Sequence, residues 1–167
     1  GKFVLDLQPT NLAEVVEAEI TQLKETANAK GLGFTFKKPK NFPELMLDET
    51  KIRQVIMNFS DNAIYYTPSG GNITIELKED KNSVYFTVKD TGLGVPQDEK
   101  SHLFTKFYRA KNARNARPDG TGLGLFMAKK VVDVLGGNII FESEEGKGST
   151  FGFTFEKRKL HTNPPAN

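Results

Sequence analysis

Three stretches of the chain repeat their apolar residues at helical spacing, and most of the remainder alternates. In residues 11–30, Leu12, Val15, Val16, Ile20, Leu23 and Ala27 recur at three- and four-residue steps, which predicts an amphipathic helix. Asn11 stands where an N-cap belongs, Glu14 follows three residues on, and Gly31 supplies a stop. Residues 32–38 alternate, with Leu32, Phe34 and Phe36 on one face, and predict a strand. Pro39 and Pro43 punctuate a loop, and residues 44–47 read as a second short strand. Asp48 caps a second predicted helix that runs to about Tyr66, with Ile52, Val55, Ile56, Phe59 and Ala63 in one stripe. Asn58 and Asn62 lie four apart on the shoulder of that stripe, with Tyr65 beside them. Pro68, Gly70 and Gly71 end the element.

Two further strands follow, Ile73, Ile75 and Leu77 in the first and Val84, Phe86 and Val88 in the second, with hairpin chemistry at residues 80–82. The second runs straight into Asp90-Thr91-Gly92-Leu93-Gly94. Residues 95–121 are mostly polar, with only 103–108 strongly apolar, and they predict a long structureless loop of the kind that is functional. A third helix starts within residues 120–124, with Leu123, Met127, Val131, Val132 and Leu135 on its buried side and Gly136-Gly137 at its close. Residues 138–142 and 149–156 read as a closing hairpin, with Phe151, Phe153 and Phe155 alternating. This order predicts an α/β (α+β) two-layer sandwich, a mixed sheet with helices on one face. Residues 1–159 are expected to form one domain and 160–167 a frayed tail.

Composition narrows the chemistry. Among 167 residues there is no cysteine and only two histidines, His102 and His161. Disulfide scaffolds, thiolate chemistry and a multi-histidine metal centre are therefore excluded. Lys+Arg 23 against Asp+Glu 21 leaves a net charge of +2, which gives no bulk-charge grip on nucleic acid. No apolar run approaches the ~20 residues that span a bilayer. The expectation is a soluble domain of a reducing compartment that works through backbone loops, Asp/Asn and basic side chains.

Three constellations carry that chemistry. Asn58 and Asn62 offer neutral oxygens to a hard cation and NH₂ donors to phosphate, or are solvated helix asparagines. Asp90 at a strand end can accept from an exocyclic amine, with Gly92 and Gly94 allowing close approach of a flat ring; the bland alternative is an Asx-turn. Gly120-Thr121-Gly122-Leu123-Gly124 opens a helix, where unpaired N–H groups form an anion seat; the alternative is a flexible hinge. Lys106, Arg109, Lys111, Arg114 and Arg117, with no acid between Thr105 and Arg117, stand just before that seat and suit phosphate.

In this order the segments resemble the ATP-binding catalytic domain of sensor histidine kinases, of the GHKL superfamily, over about residues 3–155. DETKIRQVIMNFSDNAIYYTP at 48–68 is similar to the family's N box, VKDTGLGVP at 88–96 to its G1 box, LFTKFYRA at 103–110 to its F box and DGTGLGLFMAKKVV at 119–132 to its G2 box. The resemblance implies ATP and Mg²⁺ as cofactors, with Asp90 accepting the adenine amine and Asn62 ligating Mg²⁺ beside Asn58. It implies that Tyr66 lines the nucleotide pocket, that Gly92 and Gly94 pass close to the base, and that Arg109 reaches the terminal phosphates. Gly120, Thr121, Gly122, Leu123 and Gly124 would hold the phosphate chain. Residues 95–121 would be the ATP lid, anchored by Phe104 and Phe107. Tyr65 stands where the family usually carries Lys or Arg, and Phe59 and Ser60 replace its usual paired leucines.

The function so implied is transfer of the ATP γ-phosphate to a histidine on a separate dimerisation domain, upstream of a response regulator, by a cytoplasmic kinase fragment that lacks its own phosphoacceptor. Asn58 and Arg109 would be the catalytic residues. An amide at 58 cannot take a proton from water, which disfavours the hydrolytic relatives. The alternatives are a nucleotide-binding pseudokinase that acts by docking and a serine-directed kinase of the anti-sigma-factor type. The isolated domain is expected to be a monomer without nucleic-acid affinity.

Overall fold

The structure, a computed structural model, describes residues 4–116 and 122–160. The N-terminal helix α1 spans Leu12–Ala29, and its Asn11 cap is the expected one: Oδ1 accepts from the Ala13 and Glu14 amides at 2.9 and 3.4 Å. Lys30 closes the helix, and Gly31 follows at φ +81°. A short strand β1, Gln8–Asn11, precedes it and pairs antiparallel with β3, Glu44–Leu47. Its polar Gln-Pro-Thr-Asn carries no alternating signal. The pairing itself makes the strand, with Thr10 buried against the Leu47 carbonyl.

The main sheet has five strands, β2 (Gly33–Lys37), β4 (Asn72–Glu79), β5 (Ser83–Asp90), β7 (Gly148–Glu156) and β6 (Asn138–Glu144), in the order β2-β4-β5-β7-β6. The β2–β4 pair is parallel and the other three pairings are antiparallel, so the sheet is mixed as expected. In the turn between β4 and β5, Asp80 accepts from the Asn82 and Ser83 amides, which fixes the hairpin.

Helices α1, α2 (Glu49–Tyr66) and α4 (Gly124–Val134) pack on one face of the sheet. Their apolar stripes meet inward residues such as Ile75, Phe86, Phe153 and Phe155, all essentially solvent-free. Asp48 caps α2 and is itself buried. Burial opposes its charge, but the Asp6 and Lys51 amides and the Lys51 ammonium bond its oxygens and hold its pKa below the ordinary carboxylate value.

Three expectations need correction. Met127 is not on the buried side of α4; it is 42% exposed, and Ala128 takes the inward position. The helix begins at Gly124, so Gly124, Ala128, Val131 and Val132 turn toward α2 and the sheet, while Met127 is left at the rim. The loop after β5 is not structureless: it holds a 3-10 turn at Gln97–His102 and a short helix α3 at Lys111–Ala116. Phe107 does not anchor it. Its ring is 64% exposed and its φ is +65°, whereas Leu103 is buried and Phe104 packs edge-on against Phe141 and Phe151. A last short helix, α5, spans Lys157–Leu160. The expected tail beyond it, and the calls on Arg117, Gly120, Thr121 and His161, lie outside the described residues.

Candidate functional site: a cleft between α2, the β5 terminus and α3

Alternation along β5 sends Val84, Phe86 and Val88 into the core, and the next residue of that register is Asp90. A carboxylate therefore continues an apolar stripe and is 8% exposed. Its Oδ1 accepts from the Gly92 amide at 2.8 Å and from the Ser149 amide at 3.2 Å. Both bonds go to one oxygen, so the Asx-turn reading holds for Oδ1 without occupying Oδ2. Burial pushes the Asp90 pKa up, and the two amide bonds pull partly against it.

Asp90 lies in the wall of a cleft of about 510 Å³, counting its open mouth. Asn62 and Tyr66 line it from α2, Gly94 and Leu93 from the turn after β5, and Ala113 from α3. Mostly apolar walls with a few convergent polar groups suit a small flat ligand. Gly94 holds its place by backbone need. It sits at φ +65°, and a Cβ there would come within 2.0 Å of the Glu144 carbonyl oxygen. Gly92 is buried beneath Asp90 and serves as its donor, while the Leu93 amide bonds the Tyr66 carbonyl at 3.3 Å.

Asn62 donates to the Asn58 Oδ1 at 3.4 Å, so the expected pair is real. The two side chains part company beyond that bond. Asn62 faces the cleft, whereas Asn58 lines the adjoining groove between α2 and α4 with Gly124 and Met127. Gly124 lets Asn58 lie close, because a Cβ would stand 2.1 Å from its Nδ2 and would push that side chain aside. The first turn of α4 thus abuts Asn58, and the Leu123 side chain makes no cap hydrogen bond to it. The amides of a helix's first turn favour an anion. Gly122, at φ +74°, accepts from the Phe107 amide at 3.1 Å and ties the segment after the 3-10 turn to the start of α4.

Arg109 reaches the site from the segment between the 3-10 turn and α3. Its Nη2 donates to the Tyr66 hydroxyl at 3.2 Å and to the Ala113 carbonyl at 3.1 Å. Asn112 bonds the Gly94 carbonyl at 2.9 Å, so the short helix α3 roofs the cleft. Glu99 accepts from the Tyr108 hydroxyl and the Lys111 amide, which fixes the start of that helix. The sequence reading missed Ser149, Asn112 and Ala113. Ser149 sits opposite Asp90 in the β5–β7 register, a long-range pairing with no local sign in the Lys-Gly-Ser-Thr turn that precedes β7.

Residues 47–159 match the family described as "Histidine kinase-, DNA gyrase B-, and HSP90-like ATPase". The chain belongs to this family. Sensor histidine kinase WalK of Bacillus subtilis (strain 168) is 41% identical over 121 residues, covering 69% of this chain and 20% of that protein. The catalytic domain of histidine kinase ThkA, solved in a nucleotide-free form, superposes with a TM-score of 0.78 at 29% identity, covering 92% of this chain and 99% of that one. Full-length ShkA in complex with AMPPNP gives a TM-score of 0.80 at 26% identity, covering 98% of this chain and 33% of that one. The matched part of the chain spans about a fifth of the length of WalK and nearly all of the ThkA catalytic domain. Among the described residues no helix is long and apolar enough to cross a membrane.

Proposed function

We propose that this chain binds ATP with Mg²⁺ in the cleft and delivers the γ-phosphate to a histidine on the dimerisation domain of its parent kinase, from which a response regulator is charged. The observation that carries this reading is Asp90. It is a buried carboxylate with one oxygen satisfied by backbone and the other left for a donor, on the same cleft as Asn62 and Tyr66. An adenine amine matches that acceptor, with Gly92 and Gly94 fixing the turn on which the ring rests. The triphosphate then runs along Asn62 and Asn58 to Gly122, Leu123 and Gly124, with Gly120 and Thr121 preceding them in sequence. ShkA, solved with AMPPNP, supports a nucleotide in this fold.

The metal fits the donor set. Among the described residues no group of three or more His, Cys, Asp or Glu could cage an ion. A hard cation that keeps its waters and arrives on phosphate needs only a neutral oxygen such as the Asn62 amide. Asn62 would hold Mg²⁺ there, and the ion would supply neutralisation of charge on the phosphates.

The chain's own part in the transfer is positioning and charge stabilisation. The imidazole nitrogen attacks the γ-phosphorus, the bond to the β-phosphate oxygen breaks, and its electrons leave with ADP. Asn58 and Asn62 orient the phosphates. Arg109, held beside the cleft by Tyr66 and Ala113, stabilises the developing negative charge. Histidine is the nucleophile, so no residue need activate water, in keeping with an amide at 58. We place this domain on the cytoplasmic side with its nucleotide supply, whatever anchors its parent.

The test is phosphotransfer from radiolabelled ATP to the parent's upstream histidine domain. Label on that histidine is expected with wild type. Asn62→Ala should abolish the Mg²⁺ dependence of ATP binding while adenosine still binds. Absence of label together with absence of ATP binding would overturn the reading.

A further inference from the structure

Helix α2 carries Asn58, Asn62 and Tyr66, so the rotation of its last turn sets the cleft. That turn holds no basic residue of its own, and Thr67 ends it in extended conformation. Its last carbonyls therefore need donors from elsewhere. The Thr67 hydroxyl serves the Ala63 carbonyl and the Leu93 amide that of Tyr66, and Lys30 supplies the two between. Its backbone N–H closes α1 on the Ala27 carbonyl, and its Nζ crosses to α2, donating to the Ile64 carbonyl at 2.8 Å and to the Tyr65 carbonyl. An ammonium at a helix C-terminus also meets the negative end of the macrodipole.

The same ammonium lies 5.5 Å from the centroid of the Tyr65 ring. Tyr65 packs edge-on against Tyr66, with centroids 5.1 Å apart and planes at 74°. Tyr66 lines the cleft, and its hydroxyl accepts from Arg109. A continuous set of contacts thus runs from Lys30 through two rings to the lid arginine. Lys30 itself does not line the cleft.

We propose that Lys30 is a positioning residue for the nucleotide site, holding the last turn of α2 and the Tyr65–Tyr66 pair so that Tyr66 receives Arg109. This rests on the cleft being the nucleotide site. Partial burial lowers the Lys30 pKa, because withdrawal from solvent disfavours the charged ammonium.

The test uses the whole chain and four variants. Lys30→Met removes both donors and charge, Lys30→Arg keeps both, Tyr66→Phe cuts the hydroxyl link, and Lys30→Met/Tyr66→Phe closes a double-mutant cycle. Lys30→Gln replaces Lys30→Met throughout should the latter not fold. In the nucleotide-free chain, Lys30→Met should shrink the near-ultraviolet circular dichroism of the tyrosines, and Lys30→Arg should restore it. By calorimetric titration, Lys30→Met should weaken ATP by about three- to fivefold, a size set by one cation at a helix end. The loss should be smaller in the Tyr66→Phe background. An unchanged tyrosine signal would overturn the proposal without any nucleotide. An affinity loss of equal size in both backgrounds would also overturn it, since Lys30 would then act on stability alone. Failure of wild type to bind ATP would instead strike the nucleotide reading, and the tyrosine signal would still decide the role of Lys30 in placing Tyr66.

Discussion

Asp90→Asn separates the binding role of this residue from its folding role, because the two roles fall on different oxygens. Oδ1 takes the Gly92 and Ser149 amides at 2.8 and 3.2 Å, and the asparagine carbonyl can take both in its place. Oδ2, which would face the adenine amine, becomes an NH₂ group. A donor then meets a donor. A hydrogen bond to a charged acceptor contributes about 1.5–3 kcal/mol net, so its loss weakens ATP by roughly 10- to 150-fold. ITP, which carries a carbonyl where ATP has the amine, should lose far less and can gain against the new donor. Stability moves the other way. Burial raises the Asp90 pKa, so the folded chain holds this proton to higher pH than the unfolded chain does. Ionisation therefore costs stability as pH rises through the interval between the unfolded value of about 3.9 and the raised folded value. At neutral pH the neutral amide removes that cost, and the melting temperature should hold or rise. Wild-type ATP affinity should itself fall as pH drops through the raised pKa, and the variant should show no such fall. Calorimetric titration with ATP and ITP, paired with thermal melts, reads all of this. Unchanged ATP affinity, or a loss that tracks a lower melting temperature, would refute the reasoning.

Other consequences of the structure are open to simpler checks. Phe104→Ala should cost about 2 kcal/mol or more in urea melts, because that ring packs on Phe141 and Phe151. Phe107→Gly should leave stability within about 1 kcal/mol of wild type, since relief of a left-handed backbone offsets added chain entropy. Asp48→Ala should cost about 1–2 kcal/mol at pH 7 for a lost cap. The Asp48 pKa is lowered, so its contribution is complete above the unfolded value of about 3.9 and fades as pH falls through the folded value. Wild type and variant should accordingly converge in urea melts near the acid limit.

What could be read from the chain alone follows a physical divide. The caps at Asn11 and Asp48, the strand alternation and the two asparagines one turn apart are local, and each appears where its pattern placed it. The buried position of Asp90 was legible too, as the next inward step after Val88. Partners set by distant pairing were not. Ser149 faces Asp90 only because β7 lies beside β5 across 59 residues of sequence. The strand at Gln8–Asn11 exists only through β3. Met127 shows the limit of a helical wheel. Position on the wheel places it near the stripe, but the small Gly124 and Ala128 let α4 approach α2 and leave the longer side chain at the rim. The resemblance made Phe107 an anchor, yet its amide is committed to Gly122 and its ring is turned to solvent.

The central claim is that one carboxylate selects the purine and one helix start receives the phosphates. A crystal structure of this chain with a non-hydrolysable ATP analogue and Mg²⁺ tests it most directly. The expected result places the exocyclic amine on Asp90 Oδ2 and the phosphates between Asn62 and the first turn of α4. An analogue seated elsewhere, or a base turned away from Asp90 with Oδ2 bonded to water alone, would contradict it.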